Sequence, residues 1–152
     1  MIAMRDSDIF CKIVKGEAPA FKIYEDRNFI AILDAYPNIK GQTLIISKKH
    51  RSGYAFDLDE DELKELVAAT KKVARLLERK LRVKRVHVVI EGMGIDHLHV
   101  KLYPAVGLKD KYGAVWAKEK RHFSRYPGYV TTLMGPKASE KELKKLMEKI
   151  TG

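Results

Sequence analysis

Two imidazoles and an ammonium recur at every second position in the run His97-Leu98-His99-Val100-Lys101-Leu102-Tyr103-Pro104. On an extended chain alternate side chains share a face, so His97, His99, Lys101 and Tyr103 stand together while Leu98, Val100 and Leu102 turn toward a core. A neutral imidazole is a good nucleophile near its ordinary pKa of about 6.5, and an ammonium beside it neutralises phosphoryl oxygens. The chemistry this row points to is attack on phosphorus. Two imidazoles on one strand face could instead share a transition-metal ion, an arrangement that the cation at Lys101 opposes.

Such a row needs a sheet beneath it. Residues 86–90 and 97–103 are β-rich and separated by Glu91-Gly92-Met93-Gly94, whose glycines permit a reversal, so the histidine strand is predicted to pair with 86–90. Upstream, residues 21–24, 29–33 and 43–47 read as an antiparallel meander, with Glu25-Asp26-Arg27-Asn28, Pro37-Asn38 and Lys40-Gly41 as turns. Residues 57–81 carry Leu63, Leu66, Val67, Val73, Ala74, Leu77 and Leu81 on one helical stripe, with Asp59 and Glu62 as an N-terminal capping pattern. A short helix over 8–14, with Ser7 as cap and Gly16 as stop, precedes the meander.

Beyond Ala105 the pattern weakens to loop, with some helix near 115–120. Ser139-Glu140-Lys141-Glu142 then opens a terminal helix that buries Leu143, Leu146, Met147 and Ile150. No repeat or linker interrupts the 152 residues, which are predicted to form one α+β domain with a core over 8–106 and an extension over 107–152.

The formal charge of +10 favours anionic partners, whether nucleotides, nucleic acids or acidic membrane surfaces. The basic residues lie in separated clusters without interleaved aromatics, which describes a solvated surface plus one anion site better than a nucleic-acid stripe. No apolar run approaches the roughly 20 residues that span a bilayer, and Met1-Ile2-Ala3-Met4-Arg5-Asp6 has no signal-peptide pattern, so a cytosolic protein is expected. A single cysteine, Cys11, excludes an internal disulfide and a cysteine-only zinc site; it reads as a small buried apolar residue.

Three further stretches, Asp8-Ile9-Phe10-Cys11-Lys12-Ile13-Val14-Lys15-Gly16-Glu17-Ala18-Pro19-Ala20, Ile32-Leu33-Asp34 with Pro37, and Gly41-Gln42-Thr43-Leu44-Ile45-Ile46-Ser47-Lys48-Lys49-His50, precede the histidine strand in order. Together they resemble the histidine triad superfamily over residues 8–106. The resemblance implies a five-stranded antiparallel sheet with a packed helix, a homodimer, and a middle histidine that attacks a nucleotide α-phosphate to give a nucleotidyl-histidine. It makes His97 the first motif histidine, His99 the nucleophile and Lys101 the third position, where the chain departs from the triad. The branch resembling galactose-1-phosphate uridylyltransferase also departs there, carrying Gln. A second register, with His97 as nucleophile and His99 third, stays open but displaces Pro104 by two residues.

By the same resemblance Asp34 contacts ribose, Phe10, Ile23 and Ile32 wall a base pocket, and Gln42 stands where many members have His. Asp34 can equally be a turn cap before Pro37, and the three apolar residues plain core. Some members use the residue matching His50 as a zinc ligand with two cysteines two residues apart. Here Asp8 takes the first cysteine's place, so that zinc site is expected to be missing. His87 and His122 receive no role.

The expected function is that of an enzyme, a nucleotide hydrolase or nucleotidyltransferase using His99, His97 and Lys101 on a nucleotide or dinucleoside polyphosphate, with no cofactor or metal. A non-catalytic nucleotide or nucleic-acid binder and a metal-binding protein are the rivals.

Overall fold

Strand alternation sorts the apolar residues of the meander onto two faces, and each face needs its own cover. The computed structural model describes residues 8–109, 118–131 and 136–141. Strands β1 (Lys22–Glu25), β2 (Phe29–Leu33), β3 (Thr43–Ser47), β4 (Val86–Val89) and β5 (His99–Pro104) form one sheet in the order β1-β2-β3-β5-β4. Each neighbouring pair is antiparallel. The α+β class and the five-stranded antiparallel sheet follow the expectation. So does the pairing of the histidine strand with the segment beginning at Val86, in the register His87 to Tyr103 and Val89 to Lys101.

Phe29, Ala31, Ile45, Val100 and Leu102 face one way and meet Leu66, Ala69, Val73 and Leu77 of the long helix α2 (Glu60–Leu81). Burying a residue such as Leu66 stabilises the fold by roughly 2 kcal/mol. Ile30, Ile32, Leu44 and Ile46 face the opposite way, toward Phe10, Ile13 and Val14 of α1 (Ile9–Lys15) and toward Ile95. The small helix cannot cover that face, and what it leaves open becomes a cleft.

Capping sets the helix bounds. The Asp59 carboxylate accepts from the Glu62 N–H at 2.8 Å, the predicted capping pattern, so α2 starts at Glu60, three residues after the predicted start at residue 57. In α1 the cap is Asp8, whose Oδ1 accepts from the Cys11 N–H at 2.9 Å; the predicted cap, Ser7, lies outside the described residues. Gly16 ends α1 at φ 76°, a left-handed conformation that favours glycine.

The histidine strand starts at His99, two residues after its predicted start. The Leu98 N–H donates to Arg51 O at 3.0 Å and the His97 N–H to Ile95 O at 2.8 Å, so both residues leave the ladder at their amides. No helix among the described residues is long and apolar enough to cross a membrane.

The chain divides into two compact units, 1–110 and 111–152. In the second unit the Phe123 and Tyr129 rings meet edge to face at 5.9 Å, and Arg121 pairs with Glu119 at 3.5 Å. Residues 118–120 are not helical, contrary to the helix predicted near 115–120, and most of the predicted terminal helix lies outside the described residues.

Candidate functional site

The uncovered sheet face forms a cleft of about 850 Å³ whose walls include Phe10, Ile32, Leu44 and Ile95 and whose polar groups include Asp34, His99 and Lys101. A largely apolar hollow with a few converging polar groups is the usual form of a small-molecule site. Phe10 packs its ring 5.1 Å from that of His99. Of the three residues that the resemblance assigns to a base pocket, Phe10 and Ile32 line the cleft. Ile23 does not: it packs against the α2-side core, because the register shift between Lys22 and Tyr24 in β1 turns it to the other face.

His99 is nearly buried, and its Nδ1 lies 2.7 Å from His97 O. A carbonyl only accepts, so Nδ1 carries the proton and donates, leaving the Nε2 lone pair for a reaction partner. Burial holds the imidazole pKa below its ordinary value, and the Lys101 charge adds to this despite the opposing hydrogen bond to His97 O. The ring is therefore neutral at neutral pH, the form that attacks phosphorus.

His97 is fully enclosed and does not line the cleft. Its Nε2 donates to Ser47 O at 2.8 Å and its Nδ1 faces Asp8 Oδ2 at 3.1 Å. For His97, which the sequence leaves either to orient the site or to contact phosphate, the enclosed ring leaves the orienting role, its backbone carbonyl accepting from His99 Nδ1. A nucleophile must reach its target, so the register that makes His97 the attacking residue lacks an opening.

Lys101 lies two residues along β5 and donates to Glu91 Oε1 at 2.5 Å. Burial alone would lower the ammonium pKa, but the hydrogen bond and charge of Glu91, with Tyr103 and Asp34 behind them, raise it overall. Lys101 is a fixed positive charge inside the cleft. Across from it, Asp34 accepts from the Tyr36 N–H at 2.8 Å and from Gln42 Nε2 at 2.6 Å. Asp34 is thus both a turn cap and a wall of the cleft. Gln42 is buried and does not line it; its Oε1 accepts from the Asn38 N–H at 2.8 Å, so it fastens the turn that carries Asp34.

Behind His97, four donor groups converge. Asp8 Oδ2 lies 3.1 Å from both His50 Nδ1 and His97 Nδ1 and 3.2 Å from Cys11 Sγ, while Cys11 Sγ lies 3.5 Å from His50 Nδ1 and 3.4 Å from His97 Nδ1. A tetrahedral zinc with bonds of about 2.0 Å to N and O and about 2.3 Å to S spaces its ligands roughly 3.3–3.6 Å apart. These spacings nearly match, and the bond from His97 Nε2 to Ser47 O aims the other nitrogen's lone pair at the centre. The loss of one cysteine therefore does not remove the site geometrically, since the Asp8 carboxylate stands in its place. Burial would raise the Asp8 carboxyl, but the backbone and thiol hydrogen bonds from Cys11 hold it far below the usual range, so it is an anion ready to ligate.

Glu91, which holds Lys101, and Asp8, whose carboxylate could ligate a metal, are site residues that sequence reasoning missed. A lysine on a half-buried strand face calls for a carboxylate, and the β4–β5 register brings residues just past Val89 beside Lys101. Asp8 and Cys11, three apart on α1, project on one side of the helix.

A family model described as the HIT domain matches residues 15–105. The chain is 32% identical to Protein hit of Bacillus subtilis over 123 residues, covering 78% of this chain and 82% of that one. It is 29% identical to an adenosine 5'-monophosphoramidase of Candida albicans, covering 82% and 87%. A zinc-bound histidine triad family protein from Mycobacterium smegmatis superposes with a TM-score of 0.61 at 30% identity, covering 72% of this chain and 84% of that one. Together with the five-stranded sheet and the cleft beside His99, these matches establish that the chain belongs to the HIT domain family.

Proposed function

We propose that the protein is a nucleotide hydrolase or nucleotidyltransferase in which His99 attacks an α-phosphate. The observation that carries this reading is the state of one ring: Nδ1 of His99 is tied to His97 O at 2.7 Å while the imidazole borders the cleft beside Lys101. In the first step the Nε2 lone pair forms a bond to phosphorus and the bond to the leaving group breaks, its electron pair departing with that group. The imidazolium retains its Nδ1 proton against the carbonyl. In the second step water or another acceptor attacks phosphorus, water losing a proton to solvent, and the pair of the P–N bond returns to Nε2. Lys101 neutralises phosphoryl oxygens in both steps, and Asp34 receives the ribose hydroxyls. The Candida relative, a monophosphoramidase by name, supports a nucleotide substrate.

Zinc, if bound, would be held by Asp8, Cys11, His50 and His97. A closed set of four ligands supplies structural cross-linking, here between α1 and the base of β5. The homodimer implied by the resemblance belongs to the same reading and is checked by light scattering.

The test is a single turnover with nucleotide labelled at the α-phosphate. An acid-labile, protein-bound label is expected in the parent chain and is expected to be lost in His99→Ala, which retains nucleotide binding. Label at parent level in His99→Ala refutes the assignment. Binding without label in the parent chain favours the non-catalytic binder, a reading that the permanent charge of Lys101 in the cleft recommends as the second choice.

A further inference from the structure

We propose that the Glu91–Lys101 ion pair makes this cleft select leaving groups that depart as anions, such as polyphosphate chains, over leaving groups that depart as amines. The inference rests on the α-phosphate chemistry proposed above and adds the class of leaving group.

It starts from a count of protons available where the bond breaks. Among the described residues that line the cleft, the side chains with ionisable or hydroxyl groups are Asp34, Tyr36, His99 and Lys101. Asp34 accepts hydrogen bonds at both oxygens, and Tyr36 is 91% exposed at the rim. The Nδ1 proton of His99 is committed to His97 O. Lys101, beside the nucleophile on the same strand face, is what remains, and its ammonium sits 2.5 Å from a Glu91 carboxylate that is only 13% exposed. Handing over its proton would leave a neutral amine against a half-buried anion, an uncompensated charge that costs more than the pair it replaces. Its raised pKa agrees with that geometry.

The two kinds of leaving group place different demands on this arrangement. When the P–O bond of a phosphoanhydride breaks, the electron pair settles on an oxygen of the departing phosphate, which is stable as an anion in water. It needs a cation nearby, and an ammonium has three N–H donors, of which Glu91 occupies one. When a P–N bond breaks, the pair settles on nitrogen, and the product must take a proton as it leaves because an amide anion is not accessible near neutral pH. A third-position imidazole could both give and regain that proton; Lys101 held by Glu91 gives charge without a proton.

The experiment compares kcat/KM for diadenosine polyphosphate and for an adenosine 5'-phosphoramidate with an alkylamine leaving group, in the parent chain, Lys101→His and Glu91→Gln. General acid catalysis contributes about 10²–10⁴-fold, so the parent chain is expected to favour the polyphosphate by about 100-fold. Lys101→His is expected to narrow that ratio by about tenfold or more, and Glu91→Gln to narrow it in the same direction by loosening the ammonium. Melting temperature and adduct yield on both substrates are measured alongside. Equal parent rates on the two substrates, or a ratio unmoved in both variants when they are folded, overturn the selectivity. Absence of the adduct on His99 with either substrate overturns the proposed function itself, so the two failures are distinguishable.

Discussion

Substituting Gly92 by alanine tests how the turn that carries Glu91 is held. Gly92 sits at φ +70°, and a methyl group there would lie 2.4 Å from Gly53 O and 2.8 Å from Gly53 C. The left-handed conformation alone costs an alanine about 1–2 kcal/mol. To reach 3.0 Å the Gly53 carbonyl must also retreat by 0.6 Å, the difference from the 2.4 Å contact. That strand-like loop is pinned, because the Gly53 N–H donates to Asp96 Oδ1 at 2.9 Å and Arg51 O accepts from the Leu98 N–H at 3.0 Å. The forced shift adds about 1–3 kcal/mol, as overpacking commonly does. Gly94, at φ +86° with nothing within 4 Å of an added methyl, supplies the control that carries the conformational part alone. Urea unfolding should therefore place Gly92→Ala about 1–3 kcal/mol below Gly94→Ala, or roughly 2–12 °C in melting temperature. Adduct formation in Gly92→Ala should fall as Glu91 is displaced. Equal stability of the two variants, within about 0.5 kcal/mol, would show that the close approach of the two loops is not a constraint.

Further outcomes follow from other contacts. Asp34→Ala should raise KM for nucleotides about tenfold or more with little change in kcat, as loss of a hydrogen bond to a charged group implies, and steady-state kinetics separates the two. A fall in kcat alone would remove Asp34 from substrate binding. Titration with Co2+ should give intense visible bands of a tetrahedral ion with a thiolate charge-transfer band that disappears in Cys11→Ser; the weak spectrum of a six-coordinate ion would refute the ligand set. Tyr24 donates to Asp26 Oδ2 at 2.6 Å, and burial first, then that hydrogen bond and charge, push its hydroxyl up to about 12. The unfolded state loses this proton near pH 10 and the folded state near 12, so the contribution is complete below 10 and lost as pH rises to 12. Stability measured across that window should decline less steeply in Tyr24→Phe, and parallel curves would refute the linkage.

The sheet was legible because β2 and β3 obey one local rule. Ile30, Ile32, Leu44 and Ile46 alternate with Ala31 and Ile45, and the two sets meet different covers. His99 and Lys101 were legible for the same reason. Alternation also holds at His97, which faces α1 with His99 while Leu98 turns to the α2-side core; what types and spacing do not announce is that Phe10, Cys11 and Asp8 close over its ring. Ile23 was lost to a register shift that no pattern of residue types announces. Gln42 lies one side chain back from the cleft, fastening Asp34, which lines it, and spacing along the chain does not separate those two placements. The convergence of Asp8 and Cys11 with His50 and His97 depends on tertiary contacts across as many as 89 positions, which spacing along the chain cannot register.

Under the proposed chemistry, the pairing of Lys101 with Glu91, and of His99 with the carbonyl of His97, assigns bond making and bond breaking to different stretches of chain. The hand that grasps the substrate's phosphorus is set by α1 and the end of β3; the hand that lets the other half go is set by the glycine turn between β4 and β5. Re-tooling that turn is therefore a route to a changed substrate repertoire that keeps the reactive imidazole in its original setting.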